Sequence, residues 1–105
     1  MDQTTVAEDM EQLTQQLMHK YAPLKIILFG SAVNDLHSAH DIDLLIVKDN
    51  VPDMGTERIR QLYRIIDTNL PVDYLVYRSQ EIEDRIRLGD PFISSIVNTG
   101  KVLYG

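Results

Sequence analysis

Residues 28–47 read LFGSAVNDLHSAHDIDLLIV: an apolar run closed by Gly30-Ser31, a polar connection, and Asp41 and Asp43 at the entry to a second apolar run. Lys25 to Phe29 (KIILF) is short, continuously apolar after its lysine and bounded by Pro23 and Gly30. That pattern predicts a buried strand. Ile42 to Val47 predicts a second strand, residues 31–40 leave room for at most one helical turn, and Asp49 to Gly55 reads as a loop. Side chains two apart on a strand point to the same face, with Cα atoms about 6.6 Å apart. Asp41 and Asp43 therefore project together, while Ile42, Leu44 and Ile46 face the other way into a core.

Outward from this stretch, helices alternate with short strands, without repeats or low-complexity segments. Thr5 with Glu8 forms a capping-box pattern ahead of Val6, Met10, Leu13 and Leu17, one helical stripe that Pro23 stops. Ile59, Leu62, Tyr63 and Ile66 mark a second helical face from Thr56 onward, with Arg58, Arg60 and Arg64 outside it. Val72 to Tyr77 (VDYLVY) predicts a third strand by its β-branched and aromatic content. Ser79 is placed to cap a helix ending near Gly89, and Asp90-Pro91 to open another that stops at Gly100. Lys101 to Tyr104 adds a short edge strand. The expected class is α/β (α+β): a small mixed β-sheet with helices packed on it, in one domain over residues 1–105.

Composition narrows the function. A chain of 105 residues with 44% apolar and 25% charged side chains can bury a core of its own. Cysteine is absent, which removes disulfides, thiolate metal sites and a cysteine nucleophile. The polar, acidic start and the short apolar runs point to a cytoplasmic protein, neither secreted nor membrane-spanning. Sixteen acids against ten bases give a net charge of −6, which repels free DNA or RNA.

The paired aspartates then need an explanation. Two carboxylates side by side repel, and burying either one unpaired costs several kcal/mol. Asp73, near the start of the third strand, joins them if its strand is a neighbour, since strands run about 4.8 Å apart. Three carboxylates around one spot suit Mg²⁺, which takes hard oxygen ligands and keeps positions for water and phosphate. After the first strand, Gly30 permits close backbone approach, Ser31 offers a hydroxyl, and the following turn offers amides to an anion. Metal-holding carboxylates facing a phosphate cradle are the parts of metal-assisted phosphoryl or nucleotidyl transfer.

Gly30-Ser31, nine residues, Asp41-x-Asp43 ahead of an apolar strand, and Asp73 within VDYLVY together resemble the nucleotidyltransferase superfamily of polymerase β-like fold. More closely they resemble its minimal nucleotidyltransferases, from Lys25 through the closing GKVLYG. The resemblance implies a nucleotidyltransferase fold and a Mg²⁺-dependent transfer of a nucleoside monophosphate, AMP from ATP or its equivalent from another nucleoside triphosphate, to an acceptor. By position Asp41 and Asp43 would hold two metal ions, Asp73 would be the third carboxylate and help activate the acceptor hydroxyl, and Gly30 and Ser31 would contact the triphosphate. It further implies a HEPN-type toxin protein as partner, with this chain as its antitoxin. One departure stands out. Members usually follow Gly-Ser with an Ala-Arg-Gly-like stretch; here Ala32, Val33 and Asn34 follow, and no basic residue lies between Lys25 and Lys48. Arg58, Arg85 or a partner's arginine are the candidates to make up the missing charge.

Each feature has a plainer reading. Asp-x-Asp alone suits a solvated turn, and only its company with Gly30-Ser31 and Asp73 favours a site. His37 and His40 are either metal ligands, a base, or solvated loop residues, and two histidines without further ligands favour the last. Arg58, Arg60 and Arg64 read as a solvated face, with nucleotide or an acidic partner as the alternative. Tyr74, Tyr77 and Tyr104 read as core and strand residues. Two functional classes follow: an enzyme that modifies a partner, or a binding module that neutralises a toxin by contact alone. A small-molecule acceptor is disfavoured, because related enzymes of that kind generally carry a second domain for it. A homo-oligomer remains open.

Overall fold

The structure, a computed structural model, describes residues 3–37 and 41–105. Helix α1 (Gln3–Gln16) runs on through a wider turn, Leu17–Tyr21, that ends when the Ala22 amide donates to the Leu17 carbonyl five residues back, at 3.1 Å. Ala22 takes a left-handed conformation and Pro23 turns the chain away. Strand β1 (Lys25–Phe29) follows, then a single 3₁₀ turn at Gly30–Val33, β2 (Ile42–Val47), α2 (Gly55–Ile65), β3 (Val72–Tyr77), α3 (Ser79–Arg87), α4 (Pro91–Thr99) and β4 (Lys101–Tyr104). The expected α/β class and the four strand segments are present, and a turn follows Gly30; residues 38–40 of the 31–40 stretch lie outside the described residues.

The strands lie in the order β3-β2-β1-β4. β1 is antiparallel to both β2 and β4, while β2 and β3 are parallel, joined through α2. A parallel pair needs such a crossover, and the helical stretch between the two strands supplies it. Helices cover both faces of the sheet. On one face, Ile42, Leu44 and Ile46 of β2 meet Ile26 and Leu28 of β1, Val72, Tyr74 and Val76 of β3, and Met10, Leu13, Leu17 and Leu62 from α1, its terminal turn and α2. On the other, Leu45 and Ile27 pack with Ile93 and Ile96 of α4, with Phe29, Leu75, Tyr77 and Ile82 at the margin. Leu44, Leu45 and Ile46 are all buried because the central strand has no solvent face.

Three local expectations are corrected. Helix α1 is already running at Gln3, so Thr5 lies inside it and is not its N-cap; glutamine and threonine at its start cost too little propensity to hold it back. Arg78, not Ser79, is the N-cap of α3. Its own amide is taken by Glu81 at 2.7 Å, and the Ser79 amide by Asp49 from the β2–α2 loop at 2.8 Å. Arg58 is no part of a solvated face: it is 2% exposed, whereas Arg60 and Arg64 are exposed. Four residues before Leu62, it stands one turn back on the buried side of α2. There its guanidinium bonds both Glu81 oxygens, at 2.7 and 3.2 Å, and the carbonyls of Pro52, Asp53 and Val76. The Asp90-Pro91 start of α4 is as expected, with the Asp90 carboxylate accepting from the Phe92 and Ile93 amides.

Candidate active site at the strand ends

The register brings the sequence motifs together at one end of the sheet. Asp43 stands opposite Phe29, the last residue of β1, and beside Asp73 of β3. Neighbours in register share a face, so Asp43 and Asp73 project from the face that α3 and α4 partly cover. Asp41 precedes β2 by one residue and is exposed, as are Asp73 and Ser31; Asp43 is half-buried. The rim on this face is aromatic. Phe29 meets Phe92, 52% exposed on the first turn of α4, edge to face with ring centroids 5.9 Å apart.

Gly30 has a specific job here. Its φ of +77° belongs to the left-handed region, and a Cβ on it would fall 2.5 Å from Oδ2 of Asp43. Only glycine both takes this turn without strain and lets the Asp43 carboxylate lie against the backbone. Ala32 and Val33 pack into the cluster beneath β1, which leaves Ser31 outward at the same end. Asp43 is held above the usual carboxylate range, first by its burial and then by the charges of Asp73 and Asp41. It is an acid under pressure from two others. That asymmetry marks it as the centre of the group. Among the described residues, no three carboxylates, histidines or cysteines stand close enough together to hold one metal ion. What the fold fixes is the backbone placement of the three aspartates and the field they share.

The basic side chains gather elsewhere. Arg58 and Arg78 tie the β2–α2 loop to β3 and α3, and Lys48 sits 5.1 Å over the Tyr21 ring, all by the far ends of β2 and β3. Arg85 pairs with Asp90 at 3.1 Å and lies 5.2 Å over the ring of Tyr77, the last residue of β3. Arg58 and Arg85 are both engaged in ion pairs, with Glu81 and Asp90. His37 is exposed in the loop beyond the turn, and His40 lies outside the described residues. Tyr74 is core, as expected. Tyr77 is half-buried and Tyr104 37% exposed on the edge strand.

A family model described as polymerase beta, nucleotidyltransferase, matches residues 11–105. The chain belongs to that family. Among the described residues, its four helices and four-stranded mixed sheet are consistent with the nucleotidyltransferase fold. Comparison with curated proteins and with solved structures gave no match. The residues singled out in the sequence, Gly30, Ser31, Asp41, Asp43 and Asp73, all lie at one end of the sheet. Among the described residues no helix is long and apolar enough to cross a membrane.

Proposed function

We propose that this nucleotidyltransferase transfers a nucleoside monophosphate, AMP from ATP, to a hydroxyl on a partner protein of the HEPN toxin type, with Mg²⁺ as cofactor and an antitoxin role. The observation that carries the reading is Asp43, pressed against Gly30 and strained by two further carboxylates. Such a group costs stability unless a cation offsets it. All three donors are hard carboxylate oxygens, the set Mg²⁺ prefers. Asp41 and Asp73 are exposed, so meeting an ion asks for side-chain rotation and no repacking. Asp41, Asp43 and Asp73 would hold the metal. Bound there, Mg²⁺ supplies positive charge to the phosphate oxygens and to the leaving pyrophosphate.

The chain's own residues do the rest. Gly30 lets the phosphates approach the backbone, and the Ser31 hydroxyl donates to a phosphate oxygen. Asp73 accepts the proton of the acceptor hydroxyl as its oxygen forms a bond to the α-phosphorus. The bond from the α-phosphorus to the bridging oxygen breaks in the same displacement, and pyrophosphate leaves with that electron pair. The contact-only alternative retains one supporting observation, the diversion of Arg58 and Arg85 into structural pairs. Incubation with Mg²⁺, adenine-labelled ATP and the protein that co-purifies with the chain separates the two. Label should appear on the partner with wild type and fall at least a hundredfold with Asp41→Asn, without loss of fold. Equal capture of the partner by both forms, with no label in either case, would establish binding alone.

A further inference from the structure

Phe92 leaves an aromatic ring 52% exposed at the rim of an acidic site. We infer that this ring, on the first turn of α4, is the platform on which the base of the nucleotide stacks, and that it favours a purine. This inference rests on the nucleotidyl-transfer reading above.

Register and ring contact together place it. Phe29 and Asp43 are paired across β1 and β2, so their side chains share a face, with the backbones about 5 Å apart. That face is the one Ile93 and Ile96 of α4 cover, and Phe29 packs against their cluster. The Phe29 ring in turn meets the Phe92 ring, centroids 5.9 Å apart. Phe92 thus stands two contacts from Asp43, on the same side of the sheet and at the same end. The run of α4 agrees: from Phe92 beside the last residue of β1 it crosses to Val97, which shares a groove with Leu24 and Lys25 at the strand's beginning. A nucleotide with its phosphates over Asp43 carries its base one ribose further on, the kind of offset that separates Asp43 from this ring.

The ring is also free to stack. Ile93, next to it, is buried and anchors the helix, which leaves Phe92 outside the core. Its plane makes 83° with that of Phe29, an edge-to-face contact, so at least one face of Phe92 stays uncovered by Phe29 whichever ring supplies the edge. Asp90 fixes the residue in place, its carboxylate accepting from the Phe92 and Ile93 amides. Those amides are therefore taken, and what this helix start offers a ligand is the ring. The five tyrosines stand elsewhere. Tyr21 and Tyr74 are buried, Tyr63 packs on Tyr74 at the opposite face, Tyr77 ends β3 under Arg85, and Tyr104 lies in register with Ile26 on the edge strand. Every base has a π face, and a two-ring purine covers more of Phe92 than a pyrimidine does.

Calorimetric titration with ATP, UTP and tripolyphosphate, each in excess Mg²⁺, tests the assignment on wild type, Phe92→Leu and Phe92→Tyr. Leucine keeps an apolar side chain against Phe29 and removes the π face; tyrosine keeps both. Phe92→Leu should weaken ATP about tenfold, the lower part of the range for one base on one aromatic ring. It should weaken UTP less and leave tripolyphosphate, which has no base, unchanged. Phe92→Tyr should bind all three as wild type does. Wild-type affinity for ATP in Phe92→Leu, or an equal loss for ATP and tripolyphosphate, overturns the role of Phe92 and leaves the nucleotidyl-transfer reading standing. A loss for UTP as large as that for ATP overturns the purine preference. If wild type binds none of the three, the nucleotidyl-transfer reading falls and this inference with it.

Discussion

Gly30 and Asp43 form one unit although thirteen positions of sequence separate them. The glycine is there because a carboxylate leans on its Cα, and the carboxylate leans there because Phe29, the glycine's neighbour, is its partner across the sheet. Gly30→Ala should therefore act twice. The left-handed backbone costs an alanine about 1–2 kcal/mol, and the new methyl displaces Oδ2 of Asp43. Chemical denaturation should show a loss of about that size, and label transfer should drop far more than the lost stability explains. Activity that merely tracked the folded fraction would mean that the contact is only structural. At this scale the sequence was readable wherever a residue type carries its own rule. Gly30 after a strand, the Asp-x-Asp spacing and Asp90-Pro91 were such cases. Arg58 was not. Its burial depends on Glu81, twenty-three positions on, and nothing local to α2 announces that partner.

Among the elements, the link between α2, β3 and α3 passes through that arginine. Helix α2 holds a guanidinium at its buried first turn because Glu81 neutralises it and three carbonyls take its remaining protons. Arg58→Ala leaves those carbonyls without their donor and Glu81 with the Arg78 amide alone, and losing one partner of a buried pair costs about 3–5 kcal/mol. Glu81 is partly exposed, so the low end of that range is expected, measured as the shift of a urea midpoint. A loss under about 1 kcal/mol would show that water replaces the arginine freely. Because this pair lies at the far end of β3 from Asp73, the variant should retain ATP affinity wherever it remains folded. The strands were legible from short apolar runs between breakers, and α2 from Ile59, Leu62 and Ile66 of its stripe; Tyr63, read into that stripe, is 58% exposed. Strand order was not, since nothing in VDYLVY states which strand it adjoins; the parallel pairing that sets Asp73 beside Asp43 is a property of the packed sheet. Helix starts were misread at α1 and α3, where Ser and Thr matched a capping pattern but Gln3 had already begun one helix and Asp49, from a distant loop, capped the other.

Across the whole molecule, charge is divided. The carboxylates that work for the fold are Glu81, held low first by its bond to Arg58, Asp49, held low by the Ser79 amide, and Asp90, held low by the Ile93 amide. Glu81 and Asp49 serve the start of α3, and Asp90 the start of α4. Asp43, by contrast, is pushed up by burial and by its acidic neighbours, and works against the fold. A carboxyl with a lowered value binds its proton more weakly in the native than in the unfolded chain. The stability it contributes is complete above its ordinary value and is lost as pH falls through the lowered one. With ordinary values of 4.5 for glutamate and 3.8 for aspartate, acid loss from these three groups should begin below about pH 4.5. Urea midpoints taken from pH 7 to pH 3 should drop steeply in the lowest unit or so. Glu81→Gln should start lower at pH 7 and fall less on acidification, because its share is already gone. A Glu81→Gln curve running parallel to wild type at all pH values would mean that the Arg58 pair contributes nothing through its charge. The bases divide in the same way: Arg58 and Arg78, which tie the β2–α2 loop to β3 and α3, lie by the far ends of β2 and β3, while Asp43 and Asp73 stand side by side at the near ends.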